Sequence, residues 1–171
     1  MDPMTDAKLW RNPCGFAFRL NYLALRYNTP CYSAVQKHEG LSRIEYVVIY
    51  SLALHPGGQA RDIAASSGFP KNSLSRAIAK LEGASLIRRS RDTDDRREQS
   101  LHLTRSGRAL FKRTLPDFEQ REKQMLDVLS PREQKTLSLL LAKVVTHVSS
   151  LGDEQADAST LSSAARARGA A

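Results

Sequence analysis

At 171 residues, with 41% hydrophobic and 26% charged side chains, the sequence is sized for one domain, or one domain with an elaboration, around a real core. No apolar run approaches the roughly 18 residues of a membrane span, and the opening MDPMTDAKLW has no basic flank or apolar stretch of a secretory signal, so a cytoplasmic protein without a membrane partner is expected. The net charge of +8 is unevenly placed, with +2 in residues 1–59, +7 in 60–113, none in 114–150 and −1 in 151–171, which centres a polyanion-attracting field on the middle of the chain.

Residues 1–11 read as a flexible terminus. Asn12-Pro13 is a helix start, a side-chain acceptor followed by a residue whose missing N–H costs nothing in the first turn. Phe16, Leu20, Leu23 and Tyr27 then form one apolar stripe. Pro30 is expected to kink or break this helix, with a second short helix running from Cys31 to His38. Ser42-Arg43-Ile44-Glu45 is a capping box, and the following IEYVVIYSLALH, apolar on most sides, is expected to be central. HPGG ends it, and a helix from Gln59 to Ser67, with Ile63 and Ala64 inward, stops at Gly68.

In KNSLSRAIAKL the residues Leu74, Ala77, Ile78 and Leu81 share one helical face, while Asn72, Arg76, Ala79 and Lys80 lie opposite, flanked by Ser73 and Ser75. Two helices joined by a short glycine turn, the second with small hydrogen-bonding side chains outward, make a helix-turn-helix. Such a helix fits the major groove, where amide, hydroxyl and cationic groups meet base edges and phosphates. From Leu86 the period changes to that of a hairpin, LIRRS and QSLHLT around a charged tip, with Leu101 and Leu103 on one face. Residues 88–98 hold five arginines and four acids, which implies Asp–Arg pairs shaping the loop and one or two arginines left to project.

After Thr104 a helix is expected from about Ser106 to Leu129, bent at Pro116. Ser130-Pro131-Arg132-Glu133 is a second capping box. The closing helix gathers Leu137, Leu140, Leu141, Val144, Val145 and Val148, more apolar stripe than an outer helix needs, and the excess reads as a subunit interface. Residues 151–171 are small and polar and are expected to be flexible. The fold class that follows is mainly α with a small β-wing: a winged helix-turn-helix lobe at 42–104 and a helical dimerisation region at 12–38 and 106–150.

Catalytic chemistry finds little support. The two cysteines, Cys14 and Cys31, form no CxxC, the four histidines are scattered, and neither a nucleophile motif nor a phosphate-cradling glycine loop is present, so no enzyme, cofactor or metal site is expected. The chain resembles the MarR-type (multiple-antibiotic-resistance regulator) winged-helix transcription factors over roughly residues 12–150. The likeness rests on the order of six helices and a wing, on IAASSGFPKNSLSRAIAKLEGASLI as helix-turn-helix, and on DTDDRREQSLHLTRSG, an Asp, a basic pair, alternating apolars and then LTxxG.

That resemblance implies a homodimer held by its first and last helices on a pseudo-palindromic double-stranded DNA operator, with a recognition helix in each major groove and wing arginines in the minor groove. It makes Asn72, Ser73, Ser75 and Arg76 readers of bases or backbone, and Arg97, assisted by Arg96 or Arg91, the minor-groove contact, with Asp95 orienting an arginine. Lys71, Lys80 and Arg88 become phosphate contacts. It also implies release by a small aromatic carboxylate or phenol, for which Phe16, Arg19, Tyr22, Tyr27 and Tyr46 are candidate walls and cation. Some relatives sense oxidants through a cysteine near the start of the first helix, a place that Cys14 occupies. The competing readings are a cysteine-based redox repressor and a winged-helix interaction module without DNA specificity.

Overall fold

The computed structural model describes residues 1–91 and 99–168. It divides the chain into two compact units, Met1–Met125 and Leu126–Ala171.

The first unit opens with α1 (Pro3–Trp10), where a flexible terminus was expected. Asp2 caps it, its carboxylate accepting from the Thr5 amide at 2.9 Å and the Thr5 hydroxyl at 2.5 Å, with Pro3 in the first turn. Arg19 secures the other end by donating to the Leu9 carbonyl at 2.8 Å while its guanidinium lies 5.8 Å over the Trp10 ring. The Asn12 side chain accepts from the Cys14 amide at 2.9 Å, so the next helix starts two residues later than Asn12-Pro13 suggests.

That helix, α2 (Gly15–Glu39), runs unbroken through Pro30. Proline at 30 removes the donor for the carbonyl four residues back, Arg26. Arg121 of α6 (Arg105–Leu126) replaces it, donating from Nε at 3.1 Å and Nη2 at 2.8 Å to that oxygen. A second arginine of the same helix, Arg113, grips Glu39 in a bidentate pair at 2.7 and 2.5 Å. Pro30 therefore breaks one hydrogen bond without breaking the helix, because a neighbouring helix supplies the missing donor. Pro116 likewise sits inside a continuous α6.

The capping box at Ser42 and Glu45 is present and starts α3 (Arg43–Leu54), whose Tyr46, Val48, Ile49 and Leu52 are almost wholly inaccessible. Tyr46 stacks on Phe118 with centroids 5.0 Å apart, and its hydroxyl is 2.8 Å from that of Thr114. Since the Thr114 hydroxyl donates to the Leu110 carbonyl at 3.0 Å, Tyr46 is the donor between them. Around this centre fold α4 (Ala60–Ser67), α5 (Lys71–Gly83) and an antiparallel ribbon of β1 (Ile87–Arg91) and β2 (Gln99–Leu103), in the register Ile87 to Leu103, Arg89 to Leu101 and Arg91 to Gln99. The mainly helical winged helix-turn-helix expected from sequence is the observed fold.

The second unit is dominated by α7 (Pro131–Arg168). Its box is formed: Glu133 accepts from the Ser130 amide at 2.8 Å, and Ser130 accepts from the Glu133 amide at 3.4 Å. Leu139, Leu140, Val145 and Val148 stand exposed along it. The helix continues past residue 150, where a flexible tail was expected; the run is alanine-rich and lacks proline, so nothing in it terminates a helix already begun.

Arg121→Met should lower stability by about 1 kcal/mol, the cost of leaving the Arg26 carbonyl without its protein donor. Pro30→Ala restores a backbone donor to the same oxygen, so the Arg121 effect should shrink in that background. A double-mutant cycle by urea denaturation checks this, and additive losses would count against the replacement.

Candidate nucleic-acid interface

Gly68 ends α4 with a left-handed φ of +70°, a conformation that glycine adopts without steric cost, and Phe69-Pro70 lead straight into α5. Leu74, Ala77, Ile78 and Leu81 are buried, as their spacing requires, and α5 packs mainly on α3. Lys71, Asn72, Ser75 and Arg76 are exposed on the other side, and Ser73 is half-buried at the margin. Lys80 is placed differently from a bare phosphate contact. Its ammonium lies 2.8 Å from Oε1 of Glu45, whose other oxygen accepts from the Ser42 amide at 2.8 Å. Burial pushes the Glu45 carboxyl up, but Lys80 and Ser42 outweigh it and hold the group below its ordinary 4.5.

In the ribbon, Ile87, Leu101 and Leu103 face the core, while Arg88 is exposed opposite His102. Arg89, which sequence reasoning did not single out, ties the ribbon to the end of α5: Nε donates to Glu82 at 2.9 Å and Nη1 to the Gln99 side chain at 2.7 Å. Its tertiary neighbours Glu82 and Gln99 distinguish it from Arg88. The outer edge of β2 is paired as well, with Gly57 donating to the Leu101 carbonyl at 3.0 Å and Leu101 to the Gly58 carbonyl at 3.1 Å. Asp95, Arg96 and Arg97 lie outside the described residues, as does the side chain of Arg91.

The LTxxG segment fixes where the wing leaves the body. Thr104 accepts from the Gly107 amide at 3.1 Å, capping α6, and its hydroxyl lies 2.7 Å from the Ser85 carbonyl it donates to. Gly107 then meets the chain entering β1 so closely that a Cβ there would fall 2.1 Å from the Leu86 carbonyl oxygen. A glycine is needed for that approach, which sets the first turn of α6 against the chain entering β1.

The five side chains read as effector walls do not converge. Phe16 is exposed, Arg19 is engaged with α1, and Tyr22 lies 5.7 Å from Phe18 beneath Arg26. Tyr27 packs edge-on against Phe118 at 6.1 Å, and Tyr46 is in the core, where burial pushes its phenol up to about 12. A groove of about 780 Å³ runs instead along α2 to the start of α3, past Asn28, Tyr32, Gln36, Lys37 and Arg43, with the Arg43 guanidinium 5.1 Å over the Tyr32 ring. Its polar residues recur at helical spacing like any solvated face, so the sequence carried no signal for it. Cys14 is exposed immediately before α2, whereas Cys31 is buried and its thiol is pushed up by that burial.

Residues 41–99 match the model of the MarR family. An uncharacterized HTH-type transcriptional regulator of Bacillus subtilis, YwaE, is 32% identical over 108 residues, covering 63% of each chain, so this chain spans under two thirds of that relative's length. A MarR-family transcriptional regulator from Silicibacter pomeroyi superposes with a TM-score of 0.71 at 25% identity, over 78% of this chain and 90% of that one. The fold is also shared with a MarR-family regulator from Listeria monocytogenes solved with a 26mer DNA, at a TM-score of 0.72 and 17% identity over 78% of this chain and 88% of the other.

Gly107→Ala should destabilise the protein by about 3 kcal/mol, because backbone rather than a yielding side chain opposes the added carbon; an unchanged melting temperature would contradict the close approach. The Glu45 carboxyl is held below 4.5, so its contribution to stability is complete above that pH and is lost as pH falls through the lower folded value. In Lys80→Met the carboxyl loses its cation and its folded value rises toward the ordinary one, so the acid-side loss should shrink, read as melting temperature against pH.

Proposed function

We propose that the chain, whose residues 41–99 match the MarR family model, is a DNA-binding transcriptional regulator of that family, a repressor that grips a pseudo-palindromic operator as a homodimer and lets go when a small aromatic acid or phenol binds. The observation that carries this reading is the division of α5 into a buried aliphatic edge and an exposed edge bearing Lys71, Asn72, Ser75 and Arg76. Asparagine and arginine meet adenine and guanine edges in bidentate fashion, serine meets either, and lysine supplies charge to phosphate. Ser73 at the margin of that edge is a backbone contact in this reading. The cationic stretch from 60 to 113 surrounds it with the field that a duplex requires. The complex of the Listeria monocytogenes regulator with DNA supports the assignment by shared fold.

Arg88 on the outward face of β1 extends the contact to the backbone. Arg91, Arg96 and Arg97, with Asp95 orienting them, are assigned to the minor groove by sequence alone. Lys80 serves the duplex only through its outer hydrogens, since Glu45 already takes one. Self-association is supported by apolar side chains left exposed in both units, Phe16, Leu20 and Leu23 on α2 and Leu140, Val145 and Val148 on α7, which a monomer in water would not keep bare. For the effector, the groove along α2 supplies a tyrosine, a lysine and an arginine in one concavity.

Footprinting on the DNA upstream of the protein's own gene should show a short protected site, and fluorescence anisotropy on that site an affinity that falls steeply with salt. Arg76→Ala should cost about 1–3 kcal/mol and relax discrimination between operator and scrambled duplex. No protected site at low salt, or an Arg76→Ala protein that discriminates as well as the parent, would remove this reading in favour of an interaction module.

A further inference from the structure

We infer that Arg89 is a positioning residue for DNA binding: through Glu82 and Gln99 it holds the ribbon at a fixed setting against α5, so that helix and wing can engage neighbouring grooves of one duplex. This role rests on the DNA-binding reading above, in which Arg89 itself is assigned to neither bases nor phosphates.

Ser75 and Glu82 are seven residues apart on α5 and so share one flank, beside the edge that carries Asn72 and Arg76. That flank faces the ribbon, for Ser75 and Ile78 line a hollow of about 360 Å³ together with Arg89, Gln99 and Leu101. Arg89 bridges the two sides, donating from Nε to Glu82 at 2.9 Å and from Nη1 to the Gln99 side chain at 2.7 Å. Gln99 is paired with Arg91 at the outer end of the described ribbon, whereas the Thr104 hydroxyl bonds at its base. The fork therefore restrains the part of the ribbon that lies beyond the base contacts.

The residue types fit a brace better than a reader. A carboxylate in the last turn of a helix opposes the helix dipole, and one beside a duplex repels phosphate. Glu82 carries both disadvantages, and its bond to Arg89 offsets them. A guanidinium holds two acceptors in one plane, which a lysine ammonium does not. The Arg89 and Glu82 side chains are 41% and 40% exposed, so replacing either leaves the core beneath α5 intact.

A helix in the major groove and a ribbon in the adjoining minor groove meet the same duplex only at a matching spacing. A ribbon that swings must be ordered on binding, and that ordering costs affinity. Arg89 orders it beforehand. The consequence has a sign opposite to plain electrostatics: removing the acid Glu82 from a DNA-facing surface would ordinarily strengthen binding, and here it weakens it.

Fluorescence anisotropy of the full chain on the duplex segment protected in footprinting tests this, with melting temperatures measured alongside. Glu82→Ala should weaken binding by about tenfold and Arg89→Met by a similar factor, with little further loss in the double variant, because each breaks the same bridge. In both, the slope of log affinity against log salt should stay that of the parent, where a lost phosphate contact would reduce it by about 0.9. Arg89→Lys, which keeps the charge without the fork, should bind as Arg89→Met does, and Arg89→Glu combined with Glu82→Arg should recover part of the loss. Gln99→Ala, which breaks the outer arm alone, supplies the same comparison should Glu82→Ala melt early. Affinity in Glu82→Ala equal to the parent's or higher, a reduced salt slope in Arg89→Met, or full affinity in Arg89→Lys would overturn the positioning role while the regulator reading stands. A parent that protects no site removes the regulator reading, and this role with it.

Discussion

Leu74, Ile78 and Leu81 leave water almost completely when α5 lies on α3, and because a helix turns about 100° per residue, that burial fixes where Asn72, Ser75 and Arg76 point. Each aliphatic side chain contributes about 1.5–3 kcal/mol on burial, against a net stability of about 5–15 kcal/mol for a whole domain. Rotating the helix to present another face would expose all three. The polar edge is thus oriented by the core behind it, and its side chains need no contacts of their own to be held outward.

The wing depends on the same body through a few backbone meetings. Thr104 spans the Ser85–Leu86 segment and the first turn of α6, Gly107 lets that turn touch the Leu86 carbonyl, and Arg89 clamps the ribbon to Glu82 at the end of α5. The Gly57–Gly58 turn pairs with the outer edge of β2, so that strand is bonded on both sides at its base. Helix and wing are therefore parts of one rigid seat.

Polar groups of the first unit are satisfied by partners remote in sequence. The phenol of Tyr46 is answered by Thr114, the carbonyl orphaned by Pro30 by Arg121, and the Glu45 carboxylate by Lys80. In the last case a cation on α5 serves the start of α3, which ties the cap of the central helix to its neighbour.

The local signals in the chain were sufficient for most of the architecture. Period 3.6 in KNSLSRAIAKL named the buried four, the serine–glutamate boxes set the starts of α3 and α7, and alternation in SLHLT named Leu101 and Leu103, because each depends on neighbours within one turn or one strand. DPMT at the start is a cap of the same kind, legible within one turn, although the composition of residues 1–11 reads as a flexible terminus. What sequence could not decide was every matter settled by a residue far along the chain. Pro30 reads as a break until Arg121 is beside it, Lys80 reads as a phosphate contact until Glu45 is beside it, and Tyr46 reads as a pocket wall until Phe118 covers it. Spacing records which residues share a face; only the packed chain records what that face meets, and hydrogen bonds and ion pairs act over a few ångströms whatever the number of residues between them.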